Sequence, residues 1–204
     1  MKLILYSSPE KTVFERIESE LFPLSQKIVF GYMPANGADP HPEFTPFWEN
    51  LAAKHNAEFV YIDNSKTPTQ NELKKIKTVN SLTVTGGNAF DLLQNLRNNG
   101  FDKIIIRLCR KPDFVYSGFS AGAVIATPDI KLVGKKFGAD FGYDENNTGI
   151  TDTAALGLVD FEILPHYNPN KDKEKLVKYR KQNSREIKAL TDQDFIMEER
   201  TNFL

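Results

Sequence analysis

Phe114-Val115-Tyr116-Ser117-Gly118-Phe119-Ser120-Ala121-Gly122-Ala123 sets a serine in the spacing G-x-S-x-G directly after an apolar, β-prone run. A strand ending at Phe119 and a helix opening at Ala121 would force Ser120 through a tight, strained turn. The flanking glycines leave room for the backbone and for an incoming carbonyl. In such a nucleophile elbow the hydroxyl projects clear of the sheet, and the Ala121 amide at the helix start faces the place where an oxyanion would form. The stretch therefore points to a strand-to-helix unit of an α/β fold and to acyl-transfer chemistry.

Outward from the elbow, the same alternation repeats. Leu3–Tyr6, Ile28–Phe30, Phe59–Ile62 and Leu82–Thr85 are short apolar runs of the kind buried on both faces of a parallel sheet. Between them Phe14–Phe22, Pro46–Asn56 and Ala89–Asn99, and after the elbow the segment following Ala121, carry apolar residues at three- and four-residue spacing. Thr45 before Pro46 and Asn88 before Ala89 supply helix starts, with Asp91 in the first turn of the second, and Gly100 supplies a stop. The expectation is one domain over residues 1–204, a doubly wound, three-layer α/β fold with a mostly parallel sheet and helices on both faces. In that architecture the loops after the strands form the ligand crevice. The proline-rich stretch Met33–Pro46 and the glycine-rich stretch Gly134–Gly149 are the long excursions, and basic residues between Lys171 and Lys188, interleaved with Leu176, Val177, Tyr179 and Ile187, describe a solvated amphipathic helix.

With 26 basic and 27 acidic side chains the formal net charge is -1, which indicates neither a nucleic-acid footprint nor a polybasic membrane anchor. The opening Met1–Tyr6 is too poorly apolar for a signal-peptide core and no later run has the length of a membrane span, so the expected compartment is the cytoplasm. Cys109 is the one cysteine; it forms no internal disulfide, carries no metal signature and is expected in the core. No metal or cofactor is called for, and the sequence leaves the oligomeric state open.

A serine hydroxyl needs a general base, and the chain holds three histidines. His55 sits near a helix end beside Lys54 and reads as a surface residue; His41, in the proline-rich loop, reads as a residue in reach of substrate. His166, in Ile163-Leu164-Pro165-His166-Tyr167, follows an apolar run and belongs just past the carboxyl end of a strand, on the edge that carries Ser120. It is the expected base. For the acid that orients the imidazole, Asp192 follows another apolar stretch, with Asp194, Asp152 and Asp160 as alternatives. Val84-Thr85-Gly86-Gly87-Asn88 runs from strand through glycines into a capped helix, so Gly87 is placed to give a second oxyanion N–H and Asn88 to meet substrate.

Gly86-Gly87-Asn88, the Gly118–Ala123 elbow and Pro165-His166-Tyr167, in this order, resemble the peptidase E (aspartyl dipeptidase) family of serine peptidases, whose fold is similar to that of class I glutamine amidotransferases. The likeness runs over nearly the whole chain. It implies Ser120 as nucleophile, His166 as catalytic histidine, Gly87 and Ala121 as oxyanion amides, and a third triad member in the segment matching Leu190–Ile196, hence Asp192. It also implies a preference for an amino-terminal aspartate, which no residue here is assigned to read. Aspartate stands where the dipeptidases carry glutamate, and the sequence stops at Leu204 where they continue, so a different substrate pocket is expected. A serine rather than a cysteine at the elbow disfavours amidotransferase chemistry.

The expected function is therefore hydrolysis of dipeptides or other small peptide amides through an acyl-enzyme, with a small peptide as partner and neither nucleic acid nor membrane. Two rivals remain: an esterase with the same triad, and a non-catalytic α/β module, such as a flavodoxin-like cofactor carrier, whose glycine loops hold a ligand.

Overall fold

The computed structural model describes residues 1–23, 27–37, 44–135, 141 and 143–200. The apolar runs become five parallel strands: β1 (Lys2–Tyr6), β2 (Val29–Met33), β3 (Glu58–Tyr61), β4 (Ser81–Val84) and β5 (Val115–Phe119). A further strand, β8 (Phe195–Glu199), pairs antiparallel with β1 and makes the sheet mixed, in the order β3-β2-β4-β5-β1-β8.

Alternation along the strands explains the layers. Leu3 and Leu5 of β1 enter one apolar cluster, with α4 (Ala89–Asn99), α5 (Phe101–Cys109) and the short α6 (Ala121–Val124), while Ile4 and Tyr6 enter another, with α1 (Lys11–Leu21) and α2 (Phe44–Lys54). Both sheet faces are thus covered and the α/β three-layer expectation is met. Asn88 caps α4 by accepting from the Phe90 and Asp91 amides, and Gly100 closes it at φ 75°.

Several local expectations are corrected. Helix α2 begins at Phe44, so Thr45 lies inside it rather than capping it, although Pro46 still falls in the first turn, where its missing N–H costs nothing. Ile187 belongs to a strand and not to the basic helix α7 (Pro169–Gln182), in which Val177 is exposed while Leu176 and Tyr179 are buried. Two helices were not anticipated: α3 (Gln70–Ile76), opened by a Thr69–Glu72 capping box, and α5, whose Ile104-Ile105-Ile106 run mimics a strand. Cys109 is buried, which pushes its thiol up to about 12.

The strand before His166 is not in the main sheet. It is β6 (Glu162–Leu164), which pairs in parallel with β7 (Ile187–Ala189) in a separate two-stranded sheet. No helix among the described residues is long and apolar enough to cross a membrane.

Candidate active site

Parallel pairing sets the carboxyl ends of β1, β4 and β5 level, with Tyr6 opposite Phe119 and Val84 opposite Gly118. The residues just beyond, Ser7, Thr85 and Ser120, therefore share one edge. The elbow is as tight as its spacing requires: Ser120 has φ 49° and ψ -116°, a conformation rare for a residue with a Cβ. Two glycines permit it. A Cβ at Gly118 would lie 2.3 Å from the Gly122 carbonyl oxygen, and one at Gly122 would lie 2.1 Å from the Val84 carbonyl oxygen. The Ser120 amide donates to the Tyr6 carbonyl at 3.1 Å and the Gly122 amide to Thr85 at 3.1 Å, which ties the turn to β1 and β4.

The second half of the site comes from the small sheet. Leu164 pairs with Ala189, and the Leu190 amide donates to Leu164, so the chain leaves β6 and β7 side by side. The Tyr167 amide donates to the Leu190 carbonyl at 2.9 Å, closing the turn that holds His166 at φ 53°. This brings His166 beside Asp192. The imidazole Nε2 lies 2.9 Å from Ser120 Oγ and Nδ1 lies 2.7 Å from Asp192 Oδ1. Both side chains of the histidine–aspartate pair are about one-third to one-half exposed, so proton traffic with solvent is open.

Ser7, which sequence reasoning missed, joins the two halves. Fully buried at the end of β1, its hydroxyl donates to Asp192 Oδ1 at 2.8 Å and accepts from the His166 amide at 2.6 Å. The only signal was its place directly after the first strand. Behind the histidine, Tyr143 donates to the His166 carbonyl at 3.2 Å and to Asp172 at 3.1 Å. Burial, reinforced by the Asp172 carboxylate, pushes its phenol well above the usual range. Asp144 accepts from the Ala89 amide at the start of α4, and its own burial raises its carboxyl above the ordinary carboxylate range.

The other acids are engaged elsewhere. Asp194 accepts from Thr191 within its own turn, Asp152 pairs with Arg97 at 3.0 Å and Asp160 with Arg200 at 3.3 Å. His55 lies against Glu18 at 2.6 Å and stacks on Phe22, away from the cleft. His41 lies outside the described residues.

Gly86 abuts the elbow, a Cβ there lying 3.1 Å from that of Ser120, while Gly87, at φ 154°, packs against Ala35 and Asn36, where a Cβ would lie 2.8 Å from that of Ala35. Among the described residues the amides of Gly87 and Ala121 donate no hydrogen bond. Helix α6 is a single turn, so its macrodipole adds little and any anion contact rests on the amides themselves. Asn88 has its oxygen engaged in capping α4 and one amide N–H donated to the Glu145 carbonyl at 2.9 Å. Among the described residues no three His, Cys, Asp or Glu side chains gather as a metal cluster.

Ser120 and His166 open into a cleft of about 900 Å³, also lined by Ser7, Gly86 and Gly87, by Asn36 from the proline-rich loop, and by aromatic residues of β2, α2 and β5. A serine hydroxyl, an imidazole and a carboxylate in one hydrogen-bonded line, opening into a cleft, can perform nucleophilic acyl transfer.

The chain is similar to several known proteins. A crystal structure of a protein from Listeria monocytogenes EGD-e, provisionally described as a peptidase E, superposes with a TM-score of 0.69 at 26% identity, covering 98% of both chains. A peptidase from an acI-B1 actinobacterium shares the fold, with a TM-score of 0.63 at 14% identity over 97% of this chain and 82% of its own. An uncharacterized peptidase of Listeria monocytogenes is 39% identical over 100 residues, 49% of this chain and 46% of its own. One of Listeria innocua is 42% identical over 85 residues, 42% of this chain and 38% of its own. These matches span less than half the length of either curated relative. The family model of peptidase family S51 matches residues 3–203, and the chain belongs to that family, the peptidase E family.

Proposed function

We propose that the chain is a serine peptidase that hydrolyses dipeptides or similarly small peptide amides through an acyl-enzyme on Ser120. The observation that carries this reading is the unbroken line Ser120 Oγ, His166 Nε2, His166 Nδ1, Asp192 Oδ1, at 2.9 and 2.7 Å, opening into the cleft. Ser120 Oγ attacks the scissile carbonyl carbon while its proton passes to His166 Nε2. The carbonyl oxygen takes the negative charge and receives the Gly87 and Ala121 amides. Asp192 holds the Nδ1–H and stabilises the imidazolium.

Collapse of the tetrahedral intermediate breaks the C–N bond, and His166 gives its proton to the departing amine. Water then attacks the ester, His166 takes a proton from it, and the acid leaves as Oγ regains its hydrogen. No step draws on a metal or cofactor. The size of the cleft and the family membership support small peptide substrates, and the cytoplasm is the expected setting. Ser120→Ala, assayed on a dipeptide panel, is expected to lose about 10⁴-fold or more in kcat/KM with an unchanged circular dichroism spectrum. Undiminished turnover in that variant would overturn the proposal, and matched ester and amide substrates separate a peptidase from an esterase.

A further inference from the structure

The cleft that holds Ser120 and His166 also presents an aromatic lining. Tyr32 comes from the end of β2, Phe44, Phe47 and Trp48 from the first turns of α2, and Phe119 from the end of β5. Phe44 and Phe47 are 45% and 47% exposed, among the largest apolar exposures of the described residues, and both face this cleft. The wall is also fixed. Phe47 meets the rings of Phe14 at 5.7 Å and Trp48 at 5.3 Å, both edge-on. Trp48 is itself braced by Phe14, Phe30 and Tyr32 with centroids 5.5 to 5.9 Å away. Phe47, held this way, keeps apolar surface in water that a ligand of matching character would cover.

Charge points the same way. None of the described residues lining the cleft is Lys, Arg, Asp or Glu. A carboxylate side chain leaving water for that wall would meet no lysine or arginine among the described lining residues, which makes the transfer costly. An aromatic or large aliphatic side chain would lose little hydration and gain ring contacts.

Resting on the acyl-enzyme reading above, we propose that this cleft selects peptides with an aromatic or large aliphatic side chain on a residue flanking the scissile amide, in place of the amino-terminal aspartate that the family resemblance implies. Phe47 forms the specificity-determining surface, with the buried Trp48 ring supporting it from behind, and Ser120 acts on the amide held beside it.

The test compares kcat/KM for Phe-Ala, Leu-Ala and Ala-Phe with Asp-Ala, Ala-Asp and Ala-Ala. The best aromatic dipeptide is expected to exceed the better acidic one by at least about tenfold, in the range a well-fitted apolar pocket provides. Phe47→Ala is expected to cut the preference for the aromatic dipeptide over Ala-Ala by about fivefold or more, and Phe47→Leu to restore most of it. Equilibrium dialysis of the same dipeptides against Ser120→Ala protein reads the preference without turnover. Tighter binding of the aromatic dipeptides, with no hydrolysis of any by the parent chain, would defeat the peptidase reading and leave the aromatic selectivity standing. Asp-Ala bound or cleaved as well as the aromatic dipeptides, or a preference unmoved in Phe47→Ala, overturns the inference.

Discussion

The elbow and the histidine arm reach the same cleft by opposite means. Ser120 is positioned by main chain: one continuous segment, two glycines packed against carbonyl oxygens, and hydrogen bonds donated by the Ser120 and Gly122 amides to carbonyls at the ends of β1 and β4. His166 and Asp192 come from separate segments and are aligned by side-chain hydrogen bonds, with Ser7 between them. Backbone-built geometry cannot be altered without disturbing the sheet. Side-chain-built geometry can be dismantled while the fold persists, so changes at the elbow glycines should appear as lost stability and changes in the arm as lost rate.

Asp192→Asn breaks the arm most sharply, because an amide leaves the imidazole in the wrong tautomer and the imidazolium unsupported. A fall of about 10³ to 10⁴-fold in kcat is expected, with a melting temperature close to the parent's, from paired steady-state kinetics and thermal denaturation. Gly122→Ala breaks the elbow instead. A Cβ 2.1 Å from the Val84 oxygen forces strand and helix apart, and a loss of about 3 kcal/mol or more is expected in urea unfolding.

Ser7→Ala tests the joint between the two regions. It removes one hydrogen bond from Asp192 and leaves the His166 amide without its acceptor, so both readouts should move: about tenfold in kcat with little change in KM, and about 1 to 3 kcal/mol in stability. The smallest effect sharpens the picture of strain. Elsewhere alanine is ordinarily more stable than glycine, but at φ 49° the order should reverse, with Ser120→Gly more stable than Ser120→Ala by about 1 kcal/mol. The ordinary order at this position would mean that the turn is unstrained.

The same contrast governs what could be read in the sequence. Residues 114–123 hold strand, turn and helix start within one window, and Asn88 and Gly100 bracket α4 with local cap chemistry, so these were legible directly. His166 was reachable because the chain has few histidines and one follows a strand-like run, even though that strand belongs to a second sheet. Asp192 needed the family resemblance to stand out among several acids, since nothing in its own neighbourhood distinguishes it until β6 and β7 are paired. Ser7 acts only through strand register and tertiary contact with residues far along the chain, which leaves no pattern to find. Asn88 was legible as a cap because its side chain bonds within its own turn. The aromatic wall was hidden because in the sequence Phe47, next to the core residue Trp48, looks like one more core residue until α2 is laid along the cleft.

Covalent labelling of Ser120 by a fluorophosphonate, followed by intact-mass and peptide mass spectrometry, tests the central claim most directly. The account predicts one adduct per chain, located on Ser120, with the rate of labelling falling about 10³-fold or more in His166→Ala. Absence of an adduct on folded protein, or labelling that proceeds as fast without the imidazole, would contradict it.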